Sequence, residues 1–443
     1  MPNRLLRPVL TSLATAAVLA LPVAAQPKQP GGTPTTPNGP VQPGTAAAPS
    51  AELFPEAATL PAPDWIKPGL TLTWSMTSMS GNVQVPVFKP NADTPAIPKL
   101  QSTKGNKTGA ALIQDYVLAV EPKRVVIIRS VYDKPNLGGL VLAKTQVILG
   151  SPGAPGLEGT HWVNPKAFDG PLKRTAEEFK TLQEEIRTGK KPADHTLNRA
   201  YRRGPITLSG TPYDAVAVTD RTVTNGQQSA ERMLTYDADS GVLLNAALGQ
   251  KQPNRGMDAF ITAYLDFLGS DTVALPWAND PLPAWTQTLN TLTYTVTTSS
   301  VFQGMPTQGK PVTLEMTPEL RGPDYLILNA KPKGQQGTQG GSGQKIAAGS
   351  NLIGLVLPAS AANRLRKGQV LLNDRFTGSK THVEYVGPLD NGQPGFMLVT
   401  TDANSTTQSI YESTRGLMVY QRSTTQDPSG MTVVRETTFV RHK

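Results

Sequence analysis

The chain runs to 443 residues, carries a formal net charge of +9 and contains no cysteine. Disulfides, thiolate metal sites, a cysteine nucleophile and a lipid-modified cysteine are thereby excluded. The length points to two sizeable domains that must be stabilised by burial alone.

The first 25 residues read as a secretory signal, 1–25, with Arg4 and Arg7 ahead of an apolar run from Val9 to Leu21 and the small residues Val23-Ala24-Ala25 at a cleavage site. The two arginines are its only charges, which leaves +7 for the rest. No later apolar run is long enough to span a bilayer. The basic groups Lys123-Arg124, Arg202-Arg203 and Arg364-x-Arg366-Lys367 are scattered. That argues against nucleic acid as a partner and favours attraction to anionic envelope polymers or lipid head groups. Residues 26–62, rich in Pro, Thr and Gly, hold too few large apolar side chains to offset the entropy of ordering and are expected to be a disordered spacer.

From Trp65 onward the pattern has period two. In "LTLTWSMT" Leu70, Leu72, Trp74 and Met76 share one face, and in "TLTYTVTT" Leu292, Tyr294 and Val296 alternate with threonines. Further strands are expected at 112–120, 124–132, 140–149, 215–219, 312–316, 325–328, 381–386 and 396–400. The best helix signal is "LKRTAEEFKTLQEEIRTG", with Phe179, Leu182 and Ile186 on one side. Its interleaved charges read as a solvated surface rather than a catalytic carboxylate pair.

The strands expose a duplication. Pro63-x-Trp65 before Leu72-Thr73-Trp74 matches Pro283-x-Trp285 before Leu292-Thr293-Tyr294. Tyr236-x4-Gly241 matches Tyr411-x4-Gly416, Gly256-Met257 matches Gly430-Met431, and "WVNP" at 162–165 pairs with "LVLP" at 355–358. Ordered matches of this kind predict a tandem repeat. The expected fold is mainly β, with two tandem antiparallel domains of curved-sheet or half-barrel type, copy 1 over 63–280 and copy 2 over 281–443. A short helix is inserted in the first. The prolines of "ALPWANDPLPAW", Ala274 to Trp285, suggest the linker between them.

Motifs for chemistry are sparse. Asp237 and Asp239 precede Gly241, but the following "VLLNAALGQ" offers no carboxylate to complete a calcium loop. The pattern is a hairpin with glycine at positive φ. The histidines His161, His195, His382 and His442 show no zinc spacing. In "THVEY", His382 and Glu384 share a strand face, where a carboxylate can hold an imidazole for acid–base work or merely form part of a polar surface. The glycine-rich Lys333–Lys345 stretch lacks a phosphate-loop ending and reads as a loop. Trp65 and Trp285, at equivalent places, are candidates for a ligand platform or for a shared packing role. No catalytic constellation, metal set or cofactor motif emerges.

The stretch "LTYDADSGVLLNAALGQ" resembles the late strand pair of LolA/LolB-type periplasmic lipoprotein-sorting proteins, where a Tyr-Asp-x-x-(Thr/Ser)-Gly-x-Leu hairpin precedes further strands. The resemblance is confined to that hairpin. It implies a noncatalytic half-barrel sheet whose concave face holds an acyl chain. Two function classes follow: a secreted or periplasmic envelope protein that binds a lipid or other hydrophobic ligand, and a structural or adhesive β module that contacts anionic envelope polymers.

Overall fold

The computed structural model describes residues 53–80, 88, 97, 106–134, 140–155, 161–192, 195–224, 227–252, 259–302, 304–333, 344–426 and 430–442. The signal at 1–25, most of the expected spacer, Gly256-Met257 and most of the glycine-rich stretch lie outside them.

The fold is mainly β, in two large antiparallel sheets. The first contains β1 (Leu70–Ser80), β2 (Asn106–Glu121), β3 (Arg124–Asp133), β4 (Val141–Gly150), β5 (Arg199–Leu208), β6 (Thr211–Thr224), β7 (Gln227–Asp237), β8 (Leu243–Gln252) and β9 (Ala259–Thr272). Their order is β4-β3-β2-β1-β9-β8-β7-β6-β5. The second contains β10 (Leu292–Phe302), β11 (Met305–Gln308), β12 (Val312–Arg321), β13 (Tyr325–Pro332), β14 (Gln344–Gly349), β15 (Val370–Asn373), β16 (Lys380–Pro388), β17 (Pro394–Thr401), β18 (Ser405–Glu412), β19 (Leu417–Gln426) and β20 (Thr432–His442). Their order is β14-β13-β12-β10-β20-β19-β18-β17-β16-β15, with β11 hairpinned onto β10. In both sheets the first strand lies between the second and the last, so the two copies share one topology. Among the described residues each keeps two unpaired edges, β4 and β5 in one and β14 and β15 in the other.

The duplicated motifs do identical work. Gly241 and Gly416 turn at φ +75° and +61°, and each turn accepts an indole N–H, Trp65 Nε1 to the Ser240 carbonyl at 2.8 Å and Trp285 Nε1 to the Arg415 carbonyl at 2.9 Å. Trp74 Nε1 donates to the Leu243 carbonyl at 2.9 Å, and its counterpart Tyr294 Oη donates to the Met418 carbonyl at 2.7 Å. The link from "WVNP" to "LVLP" is displaced by one residue. Val163 N donates to Gly241 O at 2.9 Å as Leu357 N does to Gly416 O at 2.8 Å, and His161 O accepts from Leu243 N as Leu355 O does from Met418 N. Backbone pairing therefore equates His161-Trp162-Val163 with Leu355-Val356-Leu357.

Two boundaries also move. The spacer expected to reach residue 62 ends earlier, since Leu53, Phe54 and Ala57 are buried in the first core. Phe54 meets Phe168, Tyr201 and Tyr236 edge-on with centroids 5.4–5.6 Å apart. The expected linker plugs the second core in the same way, through Leu275, Trp277 and Leu282. A few apolar anchors suffice here because the sheet supplies the cavity they enter.

The helix α1 (Asp169–Arg187) lies between β4 and β5. It buries Leu182, and its Thr175 Oγ1 accepts from Tyr201 N at 3.1 Å. A one-turn α2 (Trp285–Thr288) precedes β10. Among the described residues no helix is long and apolar enough to cross a membrane.

The two copies are joined by a buried seam. Leu118, Ala119, Val126 and Ile128 pack on Tyr325, Ile327 and Ala347, while Leu112, Tyr132 and Leu142 receive Phe376. Gln114 Nε2 donates to Asp374 Oδ2 at 2.7 Å and Tyr325 Oη to Glu121 Oε1 at 2.5 Å across it.

Candidate functional site

The sequence candidates fall in separate places. His382 and Glu384 lie on β16, where a bulge between Val383 and Tyr385 keeps them adjacent, His382 Nε2 being 3.3 Å from Glu384 Oε2. His382 stands opposite Val399 on one side and Val370 on the other. Neither neighbour carries a group that an imidazole could activate. Trp65 packs edge-on to Trp162, Trp285 tilts against His442, and both indoles are partly buried and bonded to the turns described above. Asp237 is consumed by its own turn, accepting from Ser240 N at 2.8 Å and Ser240 Oγ at 2.5 Å, while Asp239 is exposed.

A charged cluster that strand patterning did not single out sits inside copy 1. Asp115 on β2 faces Arg129 on β3 in direct register. Arg129 Nε donates to Asp115 Oδ1 at 2.8 Å and Nη2 to Oδ2 at 3.0 Å, a bidentate fork. His161 Nδ1 donates to the same Oδ2, and its ring stacks on Trp74 with centroids 4.0 Å apart. Exposure is 0% for Asp115, 2% for His161 and 6% for Arg129. Burial alone would raise the Asp115 pKa, but the Arg129 and His161 contacts override it and hold the carboxyl well below the usual range. Burial, with Arg129 beside it, lowers the His161 pKa and keeps the ring neutral. A carboxylate orienting an imidazole is the start of acid–base machinery. Here the carboxylate accepts from both buried partners and the group is closed to solvent, so its role is to specify the core. The visible signal was a charge at an inward position in each strand, Asp115 between Ile113 and Val117 and Arg129 between Ile127 and Val131.

What remains for contact is surface. The inward faces are filled by Phe54, Trp74, Trp162 and Tyr236 in copy 1 and by Trp277, Tyr294, Phe396 and Tyr411 in copy 2, all below 2% exposure. At the seam a cavity of about 20 Å³, the size of one water, is lined by Tyr132, Leu142, Asp402 and Ser405 among others. An open groove of about 440 Å³ runs between α1 and Lys191, His195 and Leu197. On the outward face of the second sheet, Lys380, Thr401, Thr406 and Thr424 stand opposite one another across β16 to β19. The next row sets His382, Val399, Gln408, Arg422 and Glu436 side by side. Among the described residues no group of three or more His, Asp or Glu is placed to hold a metal ion.

The chain matches no protein-family model and no curated protein. Among solved structures it is similar to a protein of unknown function of the DUF3598 family from Nostoc punctiforme, at 8% identity over 84% of this chain and 95% of that one, with a TM-score of 0.17. A putative AttH from Nitrosomonas europaea follows at 11% identity, 86% and 99% coverage and a TM-score of 0.15. Transferrin-binding protein B from Haemophilus parasuis gives 10%, 86%, 78% and 0.16. Likeness at these TM-scores carries no functional argument.

Proposed function

We propose that the chain is an exported, noncatalytic envelope module that engages an anionic polymer across the outward face of its second sheet. The observation that carries this reading is the burial of the protein's own aromatic side chains in both sheet interiors, which favours the surface as the place of polymer contact. On that surface the Lys380–Thr401–Thr406–Thr424 row presents one cation and three hydroxyls at strand spacing. Such a row suits repeated hydrogen bonding along an extended chain, and the net positive charge of the molecule supports long-range attraction. Dextran sulfate and polygalacturonate are suitable probes in a sedimentation assay. Binding should weaken steeply as salt rises and should fall several-fold in a Lys380→Glu, Arg422→Glu double variant. Binding unchanged in that variant would remove the outward face from consideration.

A second reading, the acyl-chain carrier that the LolA/LolB resemblance implies, is favoured by the open edges of both sheets. It requires the straps at 53–60 and 275–282 to leave the interiors they plug. Organic extraction of the purified protein followed by mass spectrometry separates the two: a stoichiometric lipid supports the carrier, and its absence supports the surface reading.

A further inference from the structure

The inward face of the second sheet changes character along its strands. One row runs Val383, Leu398, Ser409, Gln421, Thr437 and Val296, apolar only at its two ends. The next row holds Thr381, Thr400, Thr407, Ser423 and Arg435, each directly opposite the next across β16 to β20, and Thr298 on β10 continues it. The four hydroxyl residues are buried. Thr381 and Thr400 share a hydrogen bond of 2.9 Å, and Thr407 Oγ1 donates to Ser423 Oγ at 3.1 Å. Two hydroxyls joined by one bond leave one proton not used in that bond.

Arg435 is the neighbour of that spare donor. Its Nε is buried and unpartnered, and no carboxylate pairs with it among the described residues. Burial lowers its pKa to about 10, with no acidic group acting against the shift. The side chain as a whole stays partly accessible, beside the exposed Thr298. The equivalent row of copy 1, aligned through the Tyr236 and Tyr411 hairpins, reads Arg199, Asp220, Arg232, Leu248, Ala263. There the cations have their anion built in, Arg199 Nε at 2.7 Å and Arg232 Nε at 3.0 Å from the Asp220 carboxylate. Copy 2 has threonine in place of Arg199, Asp220 and Arg232 and carries its cation where Ala263 stands.

We propose that Arg435, with the Thr407–Ser423 hydroxyl pair, forms a seat for an oxyanion, a phosphate or carboxylate, inside the second sheet. A guanidinium offers paired N–H donors matched to two oxygens of such a group, and the leftover hydroxyl proton supplies a third donor. A desolvated cation without a counter-charge destabilises the fold, so an anion that binds there stabilises the native state by mass action. The seat lies on the inward face and is independent of the polymer reading, so loss of polymer binding in the Lys380 variant leaves it untouched.

The test uses the full chain in chloride buffer of constant ionic strength, with thermal melting and calorimetry against inorganic phosphate and, separately, against a short-chain phosphatidic acid below its micelle concentration. Saturable stabilisation is expected. Arg435→Gln should weaken binding roughly tenfold or more, and Ser423→Ala several-fold, as expected when a hydrogen bond to a charged group is lost. Arg422→Gln, on the opposite face, should leave it unchanged. Phosphate alone sufficing identifies a free anion, and binding restricted to the phosphatidic acid identifies a head group. Without added anion, Arg435→Met should melt at or above wild type. A lower melting point there shows that the cation already has a partner and overturns the proposal. So does the absence of saturable binding, or binding that survives Arg435→Gln.

Discussion

Copy 1 and copy 2 place opposite chemistry at the same three points of the same scaffold. Asp115, Arg129 and His161 in the first correspond by strand register and backbone bonding to Met316, Ala330 and Leu355 in the second. All six are buried. One interior is therefore knit by a bidentate ion pair and a stacked imidazole, the other by apolar contact, under one topology and one turn. A row three steps along the strands reverses the balance, an ion-paired Arg-Asp-Arg in copy 1 against hydroxyls and a lone arginine in copy 2. The fold does not depend on which solution fills a given point. Copy 1 pairs its buried charges with one another, because a buried charge without a partner is destabilising.

Breaking the shared turn should have the largest effect. A Cβ at Gly241 would lie 1.8 Å from the Val163 carbonyl oxygen, and one at Gly416 would lie 2.0 Å from that of Leu357. Both positions also need positive φ. Gly241→Val and Gly416→Val are expected to cost more than about 4 kcal/mol each, read as loss of folded protein or a collapsed urea midpoint. Unequal damage would mean that the two turns are not equivalent.

The triad sharpens the difference between the copies. Asp115→Ala strands Arg129 and should cost about 3–5 kcal/mol. Installing the copy 2 residues together, Asp115→Met, Arg129→Ala and His161→Leu, should recover most of that loss in urea denaturation, since no charge is left unpaired. The pH dependence should change with it. Unfolded histidine titrates near ~6.5 and aspartate near ~3.9. His161 is held lower in the fold, so below ~6.5 the unfolded chain takes a proton the native state refuses, and stability falls as pH drops. Asp115 is also held low. Its contribution is complete above ~4 and is lost as pH falls through the folded value. The acid limb of melting temperature against pH should therefore be steep in the wild type and flatter in the triple variant.

Phe54→Ala should cost about 3–5 kcal/mol by emptying a filled aromatic site, although the residue lies in a segment whose composition reads as spacer. A change under about 0.5 kcal/mol would show that the strap is dispensable. The smallest effects belong to the turn acids. Asp237→Ala loses its bonds to Ser240 and should cost about 1 kcal/mol, whereas exposed Asp239→Ala should stay within ~0.5 kcal/mol. Equal effects in chemical denaturation would argue that Asp237 does not organise the turn.

The sequence by itself determined the β class, the duplication, the glycine turns and the placement of the inserted helix. Each is a local pattern: period-two alternation, a fixed Tyr-to-Gly spacing, or a run of apolar residues on one helical face. Strands β18 and β19 were legible only at their shared turn, because further along their inward positions hold Thr407, Ser409, Gln421 and Ser423 where apolar residues would have marked the period. Trp65 and Trp285 were recognised as equivalent, but the carbonyls they bond stand 175 and 130 positions away. Only the tertiary structure decided that Leu53 to Ala57 and Leu275 to Leu282 are plugs, since an apolar anchor in a polar stretch becomes structure only when a distant sheet encloses it. The same holds for the charges. Asp115 meets His161 across 46 positions, and Arg435 stands at the place of Ala263, three strands from the threonine that replaces Asp220. Whether a buried charge is paired is a property of strands brought side by side by pairing register, which no local pattern records.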